Sequence, residues 1–298
     1  MPERLILEGR RALTILWALS AALCNALNVT TQHRASISSP PRAEGWHLVL
    51  FLFKSPLWLF GWVALAGGFV FQALALHAGE MSVVQPLLVT ELVFALVLRR
   101  LWIHQAIRPV AWWSAAVTCA ALATFVAMSE PQGGNASGSS NAWLLASAVT
   151  VGTVAALVVV ARQGSPARRA ALLGSATAIM WALVATFIKT FTDTIAHGGV
   201  SGAFTHWPVY ALAAAGLAAE ILNQATLHVG PLSMSQPFLV VVDPIVSIGL
   251  SVWIFEEYFT PSPSRIVLAV LAFAIMCAAV TMLTRTAPST MEPTTADA

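Results

Sequence analysis

Apolar residues run through this chain in blocks of about twenty, long enough for a helix to cross a hydrocarbon core of about 30 Å. Short polar breaks separate them. The blocks predict nine membrane helices at roughly 12–29, 56–78, 81–99, 110–128, 142–161, 170–191, 208–228, 232–254 and 265–284. Trp58, Trp112, Trp113, Trp143, Trp207 and Trp253 fall near the ends of these spans, where aromatic rings anchor at the interface. The stretch 46–58, with Lys54 and Pro56, is too short and polar to cross by itself and reads as an interfacial helix leading into the second span. No small-x-small cleavage site follows the first apolar run, so that run reads as a retained helix. The Gly-, Ser- and Asn-rich stretch 129–141 reads as a flexible connector, and 286–298 as a disordered tail.

A second pattern lies over the first. Leu76, His77, Gly79, Ser82, Gln85, Pro86, Leu88 and Val89 recur at an offset of 151 as Leu227, His228, Gly230, Ser233, Gln236, Pro237, Leu239 and Val240. Apolar bias repeats Leu and Val by chance, but not His, Gly, Ser, Gln and Pro in one register. Upstream, Trp17-Ala18-Leu19 matches Trp181-Ala182-Leu183, which sets Asn25 against Lys189. Spans one to four (12–128) thus match spans six to nine (170–285), leaving 142–161 as an unpaired linking helix. One unpaired crossing reverses the direction of every helix in the second half, which predicts two inverted-topology repeats within a single transmembrane domain, 1–298.

Composition agrees with the class: 58% of the 298 residues are hydrophobic and 9% charged, against about 25% charged in a soluble domain. The expected fold is an all-α polytopic membrane protein. Cys24, Cys119 and Cys277 lie inside apolar runs without metal-site spacing and read as small buried apolar residues. The net charge of +2 says little about partners, but the placement of the cations predicts orientation. One side of the nine-span plan receives Arg34, Arg42, Lys54, Arg99, Arg100, Arg108, Arg162, Arg168, Arg169 and Arg285; the other receives Arg4, Arg10, Arg11 and Arg265. By the positive-inside bias, the N-terminus lies outside and the C-terminus in the cytoplasm of a multi-pass plasma-membrane protein.

Charge at membrane depth costs about 2.5–3.5 kcal/mol per group on insertion scales, so Glu91, Lys189, Glu220 and Asp243 are the candidate charged lining of a substrate or ion site. Pro244 follows Asp243 and frees a carbonyl one turn earlier. Lys189 either snorkels to the headgroups or pairs with Asp243 or Glu91, the partners that would most reduce its desolvation cost. Gln72, Gln85, Asn223 and Gln236 are the candidate polar contacts. They act either as glue between helices or, through Gln85-Pro86 and Gln236-Pro237, as openings in helix hydrogen bonding that expose backbone to a cavity. His77 and His228 sit beside tight turns and read as interfacial capping residues rather than proton relays. No phosphate loop, nucleophile elbow or His-Glu-x-x-His motif occurs, so no enzyme is predicted.

The nine-helix pattern, the stretch Gln72 through Pro86, Phe187-Ile188-Lys189, Asn223 through Pro237, and the acidic pair Glu256-Glu257 after the eighth span resemble the drug/metabolite transporter superfamily (EamA-like), and within it the NIPA-type magnesium transporters. The resemblance spans residues 12–285. It implies a secondary transporter working by alternating access on a small metabolite, drug or ion, with no cofactor and with Mg2+ transport and proton coupling as open alternatives. The partners it implies are the lipid bilayer, the cargo and a second copy of the chain as a homodimer, with no nucleic acid. Two positions depart from the NIPA pattern: Phe69 stands where that branch has a Glu in helix two, and His104-Gln105-Ala106 where it has an Asn-Glu-Arg run. A non-transporting membrane scaffold is the reading from another class, and it predicts dry packing between spans three and eight.

Overall fold

The computed structural model describes residues 2–37, 55–104, 106–133, 138–229, 232–260 and 262–286. In chain order the elements are α1 (Pro2–Ile37), α2 (Pro56–Ala78), α3 (Met81–Leu88), α4 (Glu91–Leu98), a π-helical turn (Arg99–Ile103), α5 (Pro109–Ser129), β1 (Pro131–Gly133), α6 (Ser140–Val160), α7 (Pro166–Ala203), α8 (Trp207–Val229), α9 (Leu232–Ile254), β2 (Glu257–Phe259) and α10 (Pro263–Thr286). Among the described residues, eight helical stretches are long and apolar enough to cross a membrane. The helix not among them, α8, is 23 residues long but carries Glu220, Asn223 and Gln224.

The surface is inverted relative to a soluble protein. Trp113, Leu144, Val63 and Val270 are exposed on helix faces, whereas the interior is rich in small residues such as Ala18, Ala21, Ala22, Ala146, Ala176, Ala178, Ala182 and Ala219. Lipid offers apolar side chains as good a surrounding as a core does, so helix association depends on close packing of small residues. Buried hydroxyls are satisfied within their own helices: Thr118, Thr177 and Thr186 donate to the carbonyls of Ser114, Leu173 and Ala182, the cheapest arrangement where water is absent. The most buried span is α7, with α8, α9 and α6 packed around it; α1 lies along α2, and α5 along α10.

Contacts gather the chain at two ends of the bundle. At one end, Arg11 bonds the Val126 carbonyl, Gly79 abuts Thr14, His77 pairs with Asp193 at 2.9 Å, and β1 pairs antiparallel with β2. Trp143 there stacks on Phe187 and meets Trp207 and Phe255 edge-on. At the other end, Arg34 bonds the Trp102 carbonyl, Arg169 bonds that of Ala161, and the Thr177 and Thr226 hydroxyls are 3.0 Å apart. Gly174 of α7 lies against the backbone of Ser235 in α9, and an added Cβ would stand 2.8 Å from the Ser235 oxygen. Gly174→Val should therefore wedge α7 from α9 and destabilise by about 1–3 kcal/mol, read as a lower thermal midpoint in detergent; an unchanged midpoint would contradict this packing.

Several expectations change. Among the described residues the fold is helical except for one two-stranded pairing, Pro131↔Phe259 to Gly133↔Glu257, which anchors part of the connector expected to be flexible. The third span crosses as one helical stretch, Met81–Trp102, but tightens in its middle. Pro86 removes a backbone donor, Val89 and Thr90 donate to Pro86 and Leu87 in tight three-residue turns, and α4 restarts at Glu91. In contrast, α9 runs continuously through Pro237 and Pro244. Trp143 is buried in the aromatic knot instead of anchoring at an interface, and Cys119 is exposed rather than buried. The interfacial stretch up to residue 54 and the tail from 287 lie outside the described residues.

Candidate functional site

Two half-buried carboxylates, one from each half of the chain, lie within electrostatic reach of one another. Glu91 is the first residue of α4, immediately after the tight turn in the third span. Its carboxyl lies beside the Asn25 amide of α1, and it stands within electrostatic reach of Asp243 in α9. Asn25 packs against Gly68 of α2 so closely that a Cβ there would meet its Oδ1 at 2.4 Å, so only glycine leaves the amide free to address Glu91. Asp243 accepts from the Ser247 hydroxyl at 3.2 Å, one turn along α9. The site combines two acidic groups, an amide and a hydroxyl beside a tight helical turn, in which the Val89, Thr90 and Leu92 N–H groups bond carbonyls three residues back. Among the described residues, no three of His, Cys, Asp or Glu cluster as metal ligands. A hard cation here would have to draw oxygen from the amide, the hydroxyl or freed carbonyls.

The second constellation seals one end. Glu257 of β2 is 1% exposed, yet its carboxylate makes three bonds. Lys189 Nζ donates to Oε1 at 2.8 Å, the Met81 N–H to Oε1 at 2.8 Å, and the Ser82 N–H to Oε2 at 3.1 Å. Helix α3 has no side-chain cap from its own N-cap residue, Glu80, so a carboxylate 176 residues away satisfies its first donors. The Lys189 ammonium also lies 4.7 Å from the Phe255 ring centroid. Burial would raise the Glu257 carboxyl, but the Lys189 charge and the bonds from Lys189, Ser82 and Met81 outweigh it and hold the group below the usual carboxylate range. Burial lifts neighbouring Glu80 above that range; its own backbone N–H, Lys189 and Arg11 oppose the lift, and the Glu257 charge adds to it. Glu256, just before Glu257, is held at φ 56, a left-handed conformation that a non-glycine residue adopts at some cost.

The expected residues therefore separate into groups. Glu91 and Asp243 come together. Lys189 neither snorkels nor meets either of them: it is 7% exposed and pairs with Glu257. Glu220 is exposed on α8, where its Oε1 accepts from Gln224 Nε2 at 2.6 Å. Gln72, Asn223 and Gln236 are half-buried on α2, α8 and α9. Gln85 is 2% exposed, with Nε2 unpartnered, and the Ser82 hydroxyl on the same face of α3 is also buried without a partner. His77 bonds Asp193 rather than capping α2; the side chain of His228 lies outside the described residues. The functional residues missed from sequence are Glu257 and Asn25 as a Glu91 partner. The acidic pair Glu256-Glu257 and the repeat match of Asn25 with Lys189 were the available signals.

No protein-family model matches the chain, and no solved structure matches it. It is similar to an uncharacterized protein of Corynebacterium glutamicum, 26% identical over 275 residues, covering 92% of this chain and 95% of that protein.

Proposed function

We propose that this helical membrane protein is a secondary transporter of the drug/metabolite type, moving a small metabolite, drug or ion by alternating access. The observation that carries the reading is the pair Glu91 and Asp243, contributed by the two halves of the chain and set where the third span tightens after Pro86. Discontinuous helices with ionisable groups at mid-depth form cargo and coupling-ion sites in transporters built from inverted repeats. The packing supports that plan: α1 lies along α2 as α7 lies along α8, and α5 meets its counterpart α10. The two sets of end contacts alternate along the chain as nine crossings require, with α8 as the seventh. By the cation bias, the end closed by Glu257 and Lys189 faces outward and the C-terminus lies in the cytoplasm. In this arrangement the latch is the outer gate, and Ser82 and Gln85, just behind it on α3, are polar groups awaiting cargo. A scaffold has no use for such unpartnered buried groups, each of which costs about 1–3 kcal/mol.

A NIPA-like magnesium transporter is the second reading, favoured by the all-oxygen character of the Glu91, Asp243, Asn25 and Ser247 site. Purified protein in liposomes, assayed for uptake of Mg2+ and of a metabolite panel with and without a proton gradient, separates the readings. Gradient-dependent uptake of an organic solute supports the first, and Mg2+ uptake the second. Folded, correctly inserted protein that moves neither supports a scaffold.

A further inference from the structure

Helix α8 packs on α7 through Ala215, Ala219 and Thr226. Its opposite face is open, with Leu217 65% and Ile221 61% exposed, and Glu220 and Gln224 lie exposed on that same face. At the matching offset in the first half, Phe69 stands where α8 has Glu220, so the corresponding face of α2 is apolar. A carboxyl turned toward hydrocarbon is expensive, and intramembrane ionisable groups face a partner, the bundle interior or water. The Glu220–Gln224 bond at 2.6 Å relieves only part of this cost. It uses one carboxyl oxygen and one amide N–H, leaving the second carboxyl oxygen, the second N–H and the amide carbonyl without a bond.

We propose that this face of α8 is the interface of a homodimer, in which the Glu220–Gln224 pair of each copy bonds the pair of the other. Copies inserted in the same orientation relate by a twofold axis normal to the membrane, so their α8 helices run parallel and the same residues meet at the same depth. There, the spare N–H of Gln224 in one copy donates to the spare oxygen of Glu220 in the other, and the exchange is reciprocal. The pair is thus complementary to itself, which selects a second copy of this chain over an unrelated helix. Gly216, one turn before Glu220, has no atom within 4 Å of the position a Cβ would take, which lets two backbones approach closely at the crossing. The inference rests on α8 crossing the bilayer, as in the proposed transporter plan, but not on transport, and it gives the expected homodimer a defined face.

The test uses the full chain in native membranes, with Cys24, Cys119 and Cys277 replaced by serine and a single cysteine introduced by Leu217→Cys. Copper-phenanthroline oxidation should yield a disulfide-linked dimer, whereas Leu271→Cys on the outward face of α10 should stay monomeric. Adding Gln224→Leu should lower the dimer yield several-fold, and two differently tagged copies should co-purify until that substitution is made. Four results would overturn the proposal: monomer from Leu217→Cys, equal cross-linking at Leu271→Cys, yield unmoved by Gln224→Leu, or labelling of Leu217→Cys by a membrane-impermeant maleimide, which would mean the face lines water. None of these readouts needs a cargo, so they hold whether or not the liposomes transport anything.

Discussion

Replacing Glu257 with alanine is expected to unlatch one end of the bundle and to cost about 3–5 kcal/mol, the penalty for leaving a buried charge without its partner. Lys189 would lose its hydrogen-bonded partner in a site where it is 7% exposed, keeping the Phe255 ring and the electrostatic influence of Glu80. The Met81 and Ser82 N–H groups would lose their acceptor as well. Lys189→Met alone should be milder, because the Glu257 carboxylate retains both backbone donors. The double variant Lys189→Met/Glu257→Gln should recover much of the loss, since no charge remains buried. Thermal midpoints of the four proteins in one detergent decide this, together with labelling of Ser82→Cys from the aqueous side, which should rise when Glu257 is absent. A Glu257→Ala midpoint no lower than that of a surface substitution would mean that the latch carries no load. Acid should act in the same direction but late. Because the folded carboxyl lies below its ordinary range, its contribution is fully present above the unfolded value and is lost only as pH falls through the folded one. Mildly acidic buffer should leave the latch intact.

The latch also marks where sequence reasoning stopped. Lys189 stood out because a lysine inside an apolar run needs a partner, and the candidates considered were the carboxylates within spans. Its actual partner sits three residues beyond the end of α9, in a short strand of only three residues. Nothing in the local pattern signals that this strand folds back onto β1 and lowers Glu257 onto the start of α3. The apolar class and the rough positions of the spans were legible because they depend on local hydrophobicity, although α1 and α7 run well past the expected 12–29 and 170–191. The irregularity in the third span was also legible through Pro86, although it shows three residues later as tight turns at Val89 and Thr90 rather than as an opening. Pro237 and Pro244 carry the same local signal in α9, which runs on without such a turn and packs against α7 and α10. A proline tells where a helix can open; the surrounding packing decides whether it does. The meeting of Glu91 with Asp243 depends on the same long-range packing, and sequence named both residues without joining them.

Neutralising either of those carboxylates should have opposite effects on stability and function. Glu91→Gln or Asp243→Asn removes a charge from the interior while keeping size and hydrogen-bonding capacity, so the protein should become more stable by roughly 1–3 kcal/mol, a share of the insertion cost of an intramembrane charge. Asn at 243 can still accept from Ser247, and Gln at 91 can still bond Asn25, so neither change leaves a new orphan. The gains should not add. Glu91 and Asp243 lie within electrostatic reach of one another, so removing one acidic group already changes the surroundings of the other, and the double variant should gain less than the sum. Gradient-driven uptake should disappear in both single variants, because the site has lost one of the two acidic groups with which it would exchange a proton or cation for cargo. A higher thermal midpoint with lost uptake is the signature of a functional site that destabilises the fold it sits in. Lower midpoints would instead assign the pair a structural role, and unchanged uptake would remove it from the transport cycle.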